Sequence, residues 1–144
     1  MLARSFRILL VDDSPSDVRL VSEALRLAQI PVEIHVATDG VDALEYLGKM
    51  QTAIQCPDLI VLDLNMPGKN GRQVLAEIQS SPFLRGIPVM ILSSSTSEDD
   101  RRSAYQLNAY CFVTKPNSLP EYVEMARGMD RFVLKGLEMR PSAR

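Results

Sequence analysis

The segment Leu59-Ile60-Val61-Leu62 is apolar at four consecutive positions and then stops at Asp63, with the turn-forming stretch Asn65-Met66-Pro67-Gly68 close behind. A strand with no polar side must be covered on both faces, which is the situation of a parallel sheet held between two layers of helices. Ile8-Leu9-Leu10-Val11 repeats the pattern and ends in Asp12-Asp13-Ser14-Pro15, and Phe112-Val113-Thr114 ends in Lys115-Pro116. Three strands thus deliver charge to one edge of a sheet, the edge at which open α/β proteins place their binding crevices.

Helical signals separate these runs. Ser14-Pro15-Ser16-Asp17 reads as an N-cap, a proline at the first helical position and a capping-box acid, and Val18, Val21, Leu25 and Ala28 form the buried stripe of the helix that follows. Residues 32–37 alternate instead, with Val32, Ile34 and Val36 on one side and Glu33 and His35 on the other, as in a half-exposed edge strand. A second helix follows Asp39-Gly40 with Val41, Leu44 and Leu47 inward, and a polar connection over residues 51–57 leads to the third strand. A third helix opens after Asn70-Gly71 on Val74, Leu75 and Ile78. Residues 89–92 make a fourth strand, a fourth helix starts among Thr96, Ser97, Glu98, Asp99 and Asp100, and residues 110–114 make a fifth strand. Ser118-Leu119-Pro120-Glu121 caps a last helix reaching about residue 135.

Five strands, each followed by a helix, predict an α/β doubly wound five-stranded parallel sheet with right-handed crossovers, flavodoxin-like in order. The order 2-1-3-4-5 buries strands one, three and four, leaves strand two at an edge, and brings Asp12, Asp13 and Asp63 together at the switch point between strands one and three.

A chain of 144 residues with 46% hydrophobic residues fits one domain over residues 1–144, with a core over about 6–136 and a short tail. A formal charge of -2 argues against nucleic acid as a partner. Arg127, Arg131, Lys135, Arg140 and Arg144 are the one basic concentration, and the helical or near-helical spacing of the first four reads as a solvated face. Cys56 and Cys111, at the starts of strands separated by a third, lack metal-ligand spacing and lie too far apart for a disulfide, as expected in a reducing cytoplasm. Apolar runs of four or five residues cannot cross a bilayer, and no signal-peptide core opens the chain, so a cytoplasmic protein is expected.

Three carboxylates in one crevice repel one another by about 4 kcal/mol per pair at ~4 Å and an effective dielectric near 20. Either they protonate or they hold a cation, and oxygen-only ligands suit Mg2+ or Mn2+. With a cation in place, Asp63 can act as a nucleophile toward a phosphoryl donor, Lys115 can neutralise one phosphoryl oxygen and the Ser93 hydroxyl can donate to another. Each residue alone has a plainer reading. Asp12 and Asp13 are ordinary turn residues, Ser93-Ser94-Ser95 an ordinary helix entry and Lys115-Pro116 an ordinary strand exit. Their conjunction, in order and register, favours the chemical reading.

The ordered set Asp12-Asp13, Asp63 with Met66-Pro67-Gly68, Ser93, Phe112 and Lys115-Pro116 resembles the receiver domain of two-component response regulators over about residues 6–136. The resemblance implies that Asp63 accepts phosphate from a histidine kinase. It also implies that Asp13, Asp63 and the Asn65 backbone carbonyl ligate Mg2+, with Asp12 assisting through water, and that Lys115 pairs with the phosphoryl group. It further implies a switch in which Ser93 moves toward the phosphoryl group and Phe112 rotates into the vacated space, remodelling the face made by the fourth helix, fifth strand and fifth helix. Asn117 replaces the phenylalanine that often follows the Lys-Pro pair, and Ser93 stands where threonine is usual.

Within the family, the stretch Pro15-Ser16-Asp17-Val18-Arg19-Leu20 and the run Asp63-Leu64-Asn65-Met66-Pro67 resemble the small stand-alone regulators of the cyanobacterial phytochrome type. This implies a bacterial phytochrome kinase as donor, a homodimer through the helix-four to helix-five face, and a signal leaving by contact with a downstream protein. Two other function classes remain. An aspartate-nucleophile phosphohydrolase would carry a second aspartate where Asn65 stands, and a phosphorylation-independent interaction module would have lost an acid or the lysine. His35 is the only histidine and leaves no hydrolytic triad, while residues 67–71 lack the Walker spacing.

Overall fold

A computed structural model describes residues 6–138 except 51, 53, 54 and 67, with the backbone alone from residue 130 onward. Elements run β1 (Phe6–Val11), α1 (Pro15–Leu27), β2 (Val32–Ala37), α2 (Gly40–Gly48), β3 (Leu59–Leu62), α3 (Gly71–Ser80), β4 (Val89–Ser93), α4 (Glu98–Gln106), β5 (Cys111–Thr114) and α5 (Leu119–Glu138). All pairings are parallel, and the sheet order is β2-β1-β3-β4-β5.

Because successive side chains of a strand point to opposite faces, the apolar runs split into two cores. Leu9, Val11, Ile60, Leu62, Val89, Ile91 and Phe112 pack toward α2, α3 and α4. Ile8, Leu10, Leu59, Val61, Met90 and Leu92 pack toward α1 and α5, where they meet Val21, Ala24, Leu25, Tyr122, Ala126 and Met129. β2 alternates between half-buried and exposed residues, as an edge strand should, and the exposed His35 ring stacks on Tyr46 at 3.8 Å. The other edge, β5, has its Phe112 N–H bonded to the Tyr105 hydroxyl at 3.2 Å.

Three expectations need correction. Val41 is 51% exposed rather than inward. The inner face of α2 runs through Gly40, Ala43, Leu44 and Leu47, a run spaced i, i+3, i+4, i+7 that leaves position 41 about 100° away. Cys56 lies in a turn three residues ahead of β3 rather than at its start, and neither cysteine forms a disulfide. The last helix continues to Glu138, because Gly136 costs a helix only about 1 kcal/mol and does not end it. Side chains of Arg131, Phe132, Val133, Leu134 and Lys135, and all of Arg140 and Arg144, fall outside the described residues. No described helix is long and apolar enough to cross a membrane.

Candidate functional site

Strand register assembles the site. Val11 stands opposite Leu62, so Asp12 and Asp63 leave the sheet side by side, each fixed by its own N–H: Asp12 to the Ala37 carbonyl and Asp63 to the Val11 carbonyl, both at 3.0 Å. Ser93 stands opposite Thr114, and the Lys115 N–H donates to the Ser93 carbonyl at 2.8 Å, which turns the lysine inward. Asp12, Asp63 and Ser93 are buried and Asp13 is exposed.

Asp12, Asp13 and Asp63 each offer one carboxylate oxygen, and these atoms lie within 4.8 Å of one another. Three hard oxygen donors at that spacing, open to solvent on the Asp13 side, fit a divalent cation of the Mg2+ or Mn2+ kind. Burial lifts the Asp12 carboxyl above its ordinary range and the Asp63 charge adds to this, while the Ser14 N–H and Lys115 oppose it without cancelling it.

Lys115 is the counter-charge. Its Nζ lies 3.1 Å from Asp12, 3.2 Å from Asp63 and 2.7 Å from Asp17. Burial works against the ammonium, but bonds to Asp17 and Asp12 and the Asp12 and Asp63 charges outweigh it, so Lys115 titrates above the ordinary lysine value. Asp17, which its place in the first turn of α1 marks as a capping acid, is also a member of the site. Ser14 does cap α1, accepting from the Asp17 N–H at 3.3 Å, but its own N–H goes to Asp12 at 2.9 Å, leaving the Asp17 carboxylate free to cross to Lys115. Only the acid's position in the first helical turn was readable in advance.

The loop after β3 is pinned from beneath by buried Leu64 and Met66, and the Gly71 N–H donates to the Leu64 carbonyl at 3.0 Å. A Cβ at Gly71 would stand 2.3 Å from the Asp63 carbonyl oxygen, so only glycine lets α3 start this close to the acid. Asn65 donates its N–H to Asp63 at 3.1 Å and its side-chain amide to the Ser93 hydroxyl at 3.3 Å.

That hydroxyl also accepts the Ser95 N–H at 3.2 Å, and Ser95 bonds Asp100 at the start of α4. Asp100 pairs with Arg72 of α3, whose Nε donates to Ser103. A polar chain therefore runs from Ser93 to α4. Phe112 is 6% exposed, packed into the α2–α4 core with the Arg101 guanidinium 4.8 Å from its ring centre. Asn117 is exposed, and its N–H bonds Glu121, which also accepts from Ser118, so the entry to α5 is held by polar contacts rather than a packed aromatic.

A doubly wound sheet carrying two acids after β1, one after β3, a hydroxyl at the end of β4 and a lysine after β5 matches the response regulator receiver domain over residues 8–138, and the chain belongs to that family. Its members are signalling proteins rather than conventional enzymes. Response regulator Rcp1 of Synechocystis sp. is 42% identical over 131 residues, covering 89% of this chain and 88% of its own. Among solved structures, the phosphorylated cyanobacterial phytochrome response regulator RcpA is 41% identical with a TM-score of 0.82, covering 92% of this chain and 96% of RcpA. The Mn2+-bound form of Rcp1 is 41% identical with a TM-score of 0.78, covering 90% and 95% respectively. The chain is a two-component receiver similar to Rcp1 and to the phytochrome response regulator RcpA.

Proposed function

We propose that this chain acts as a single receiver domain that takes a phosphoryl group on Asp63 from a sensor histidine kinase, in a phytochrome pathway. The observation that carries this is the placement of the Asp63 carboxylate within hydrogen-bond reach of Lys115 and beside Asp12 and Asp13. Asp13, Asp63 and the Asn65 carbonyl would ligate Mg2+, with Asp12 holding a bound water, and the cation would offset the charge of the incoming phosphoryl group. An Asp63 oxygen attacks phosphorus, the P–N bond of the kinase phosphohistidine breaks, and the departing imidazole takes up a proton. Lys115 neutralises one phosphoryl oxygen.

A phosphoryl group adds close to two negative charges, and the Ser93 hydroxyl, now an acceptor from Asn65 and Ser95, would turn to donate to it. Moving the hydroxyl toward the phosphoryl group would stretch its contact with the Ser95 N–H and loosen the chain to α4, and Phe112 would rotate into the space that Ser93 vacates. Output passes through the α4-β5-α5 face to a downstream protein and a second copy of the chain. Exposed Tyr105 and Tyr110, and an open apolar groove of about 510 Å³ lined by Cys111, Val113, Met125 and Met129, support that surface. The Mn2+-bound form of the relative Rcp1 supports a divalent cation at the acid cluster.

Incubation with Mg2+ and acetyl phosphate, followed by intact mass and size-exclusion chromatography, tests this. A Mg2+-dependent gain of about 80 Da that Asp63→Asn abolishes is the expected result, with a change in elution volume if phosphorylation controls assembly. No adduct and no binding of beryllofluoride would overturn the reading in favour of a module that works unphosphorylated.

A further inference from the structure

Lys115 has three N–H donors and three carboxylates around it, and the shortest contact, 2.7 Å, goes to Asp17, the one acid of the three outside the cation cluster. This contact joins residues 98 apart in sequence and ties the N-terminal turn of α1 to the end of β5. Asp17 is held for it from both ends. Its N–H is fixed to Ser14, and the backbone contact that a capping acid would ordinarily make is already supplied by Asp12.

We infer that Asp17 is a positioning residue that competes with the phosphoryl group for the Lys115 ammonium and so sets how tightly the site holds its phosphoryl group. The inference rests on the proposed phosphoacceptor role of Asp63. With the cation bound, Asp12 would be engaged through its water, and on phosphorylation Asp63 becomes an acyl phosphate and loses its own charge, so the claims of both on Lys115 would weaken. Asp17 takes no part in either change. Its charge persists beside the point where two negative charges arrive, and it retains one of the three donors that the phosphoryl oxygens would use.

The test is calorimetric titration of Mg2+-loaded protein with beryllofluoride in wild type, Asp17→Asn, Asp17→Ser and Asp17→Glu, with melting temperatures taken alongside. Both neutral variants are expected to bind roughly threefold to tenfold more tightly than wild type, and Asp17→Glu to stay within about twofold of it. A residue that served only as a first-turn acid would lower the melting temperature without raising affinity. Equal or weaker binding by both neutral variants, on a wild type that binds beryllofluoride, overturns the competition alone. A wild type that fails to bind overturns the phosphoacceptor reading and the competition with it.

Discussion

One face of the sheet carries the α1/α5 layer and the other carries α4 beside the apolar helices α2 and α3, and the α1/α5 layer and α4 are held by different forces. On one, α1 and α5 bury Val21, Ala24, Leu25, Tyr122, Ala126 and Met129 against β1, β3 and β4, a continuous apolar seam. On the other, α4 buries only Ala104 and depends on the Arg72–Asp100 pair, the Ser95–Asp100 bond and the Arg72–Ser103 bond. Apolar packing is non-directional and dense, so it resists rearrangement, whereas a few partly exposed polar bonds can be exchanged for others at small cost. The α1/α5 side is built to stay and the α4 side to move, and the Ser93 hydroxyl is bonded to the second.

The sharpest way to break that contrast is to cut the seam. Leu25→Ala, at a side chain 1% exposed, is expected to cost about 3 kcal/mol in urea unfolding. A loss under about 1 kcal/mol would mean that the seam is not the rigid half. Next comes the boundary at the acid itself: Gly71→Ala forces a Cβ onto the Asp63 carbonyl, and should cost about 2 kcal/mol while slowing Asp63 phosphorylation by acetyl phosphate. An unaltered rate would show that the backbone there yields freely.

Arg72→Ala should lower global stability by less than about 1 kcal/mol, yet selectively speed amide hydrogen exchange in α4, leaving α1 and α5 protected. Uniform exchange across both faces would erase the distinction. Last and smallest is a pH effect at the acid cluster. The folded state raises the Asp12 pKa, so it binds that proton more tightly than the unfolded chain does, and wild-type protein gains stability as pH falls from the raised value toward the ordinary one near 3.8. Asp12→Asn lacks this term. Without divalent cation, its melting-temperature advantage at pH 7 should therefore shrink as the pH is lowered toward 4, and an advantage that grows instead would reverse the sign assigned to burial.

Strand order, both helix layers and the gathering of Asp12, Asp13, Asp63, Ser93 and Lys115 were legible in the sequence, because apolar runs, caps and strand ends are local signals that topology then fixes in space. What escaped was set by contacts between distant segments. Asp17 has the look of any first-turn acid until the end of β5 brings Lys115 within its reach. Arg72 and Asp100 lie on separate helices with nothing in either segment to announce the pair. Val41 was misread for a different reason: in a nine-residue helix one valine more or less turns the apparent stripe, and the small residues Gly40 and Ala43, which give no hydrophobic signal, define the true inner face.

The bond from the Phe112 N–H to the Tyr105 hydroxyl bears on how this molecule keeps company at high concentration. β5 is a short outermost strand, and an outermost strand with open backbone donors is a template onto which a stray extended peptide can zip. Here one rung of that ladder is already taken by the protein's own tyrosine. A visitor to this flank therefore encounters phenol and guanidinium more readily than bare main chain, and association there favours a docked, reversible handshake over runaway growth of the sheet.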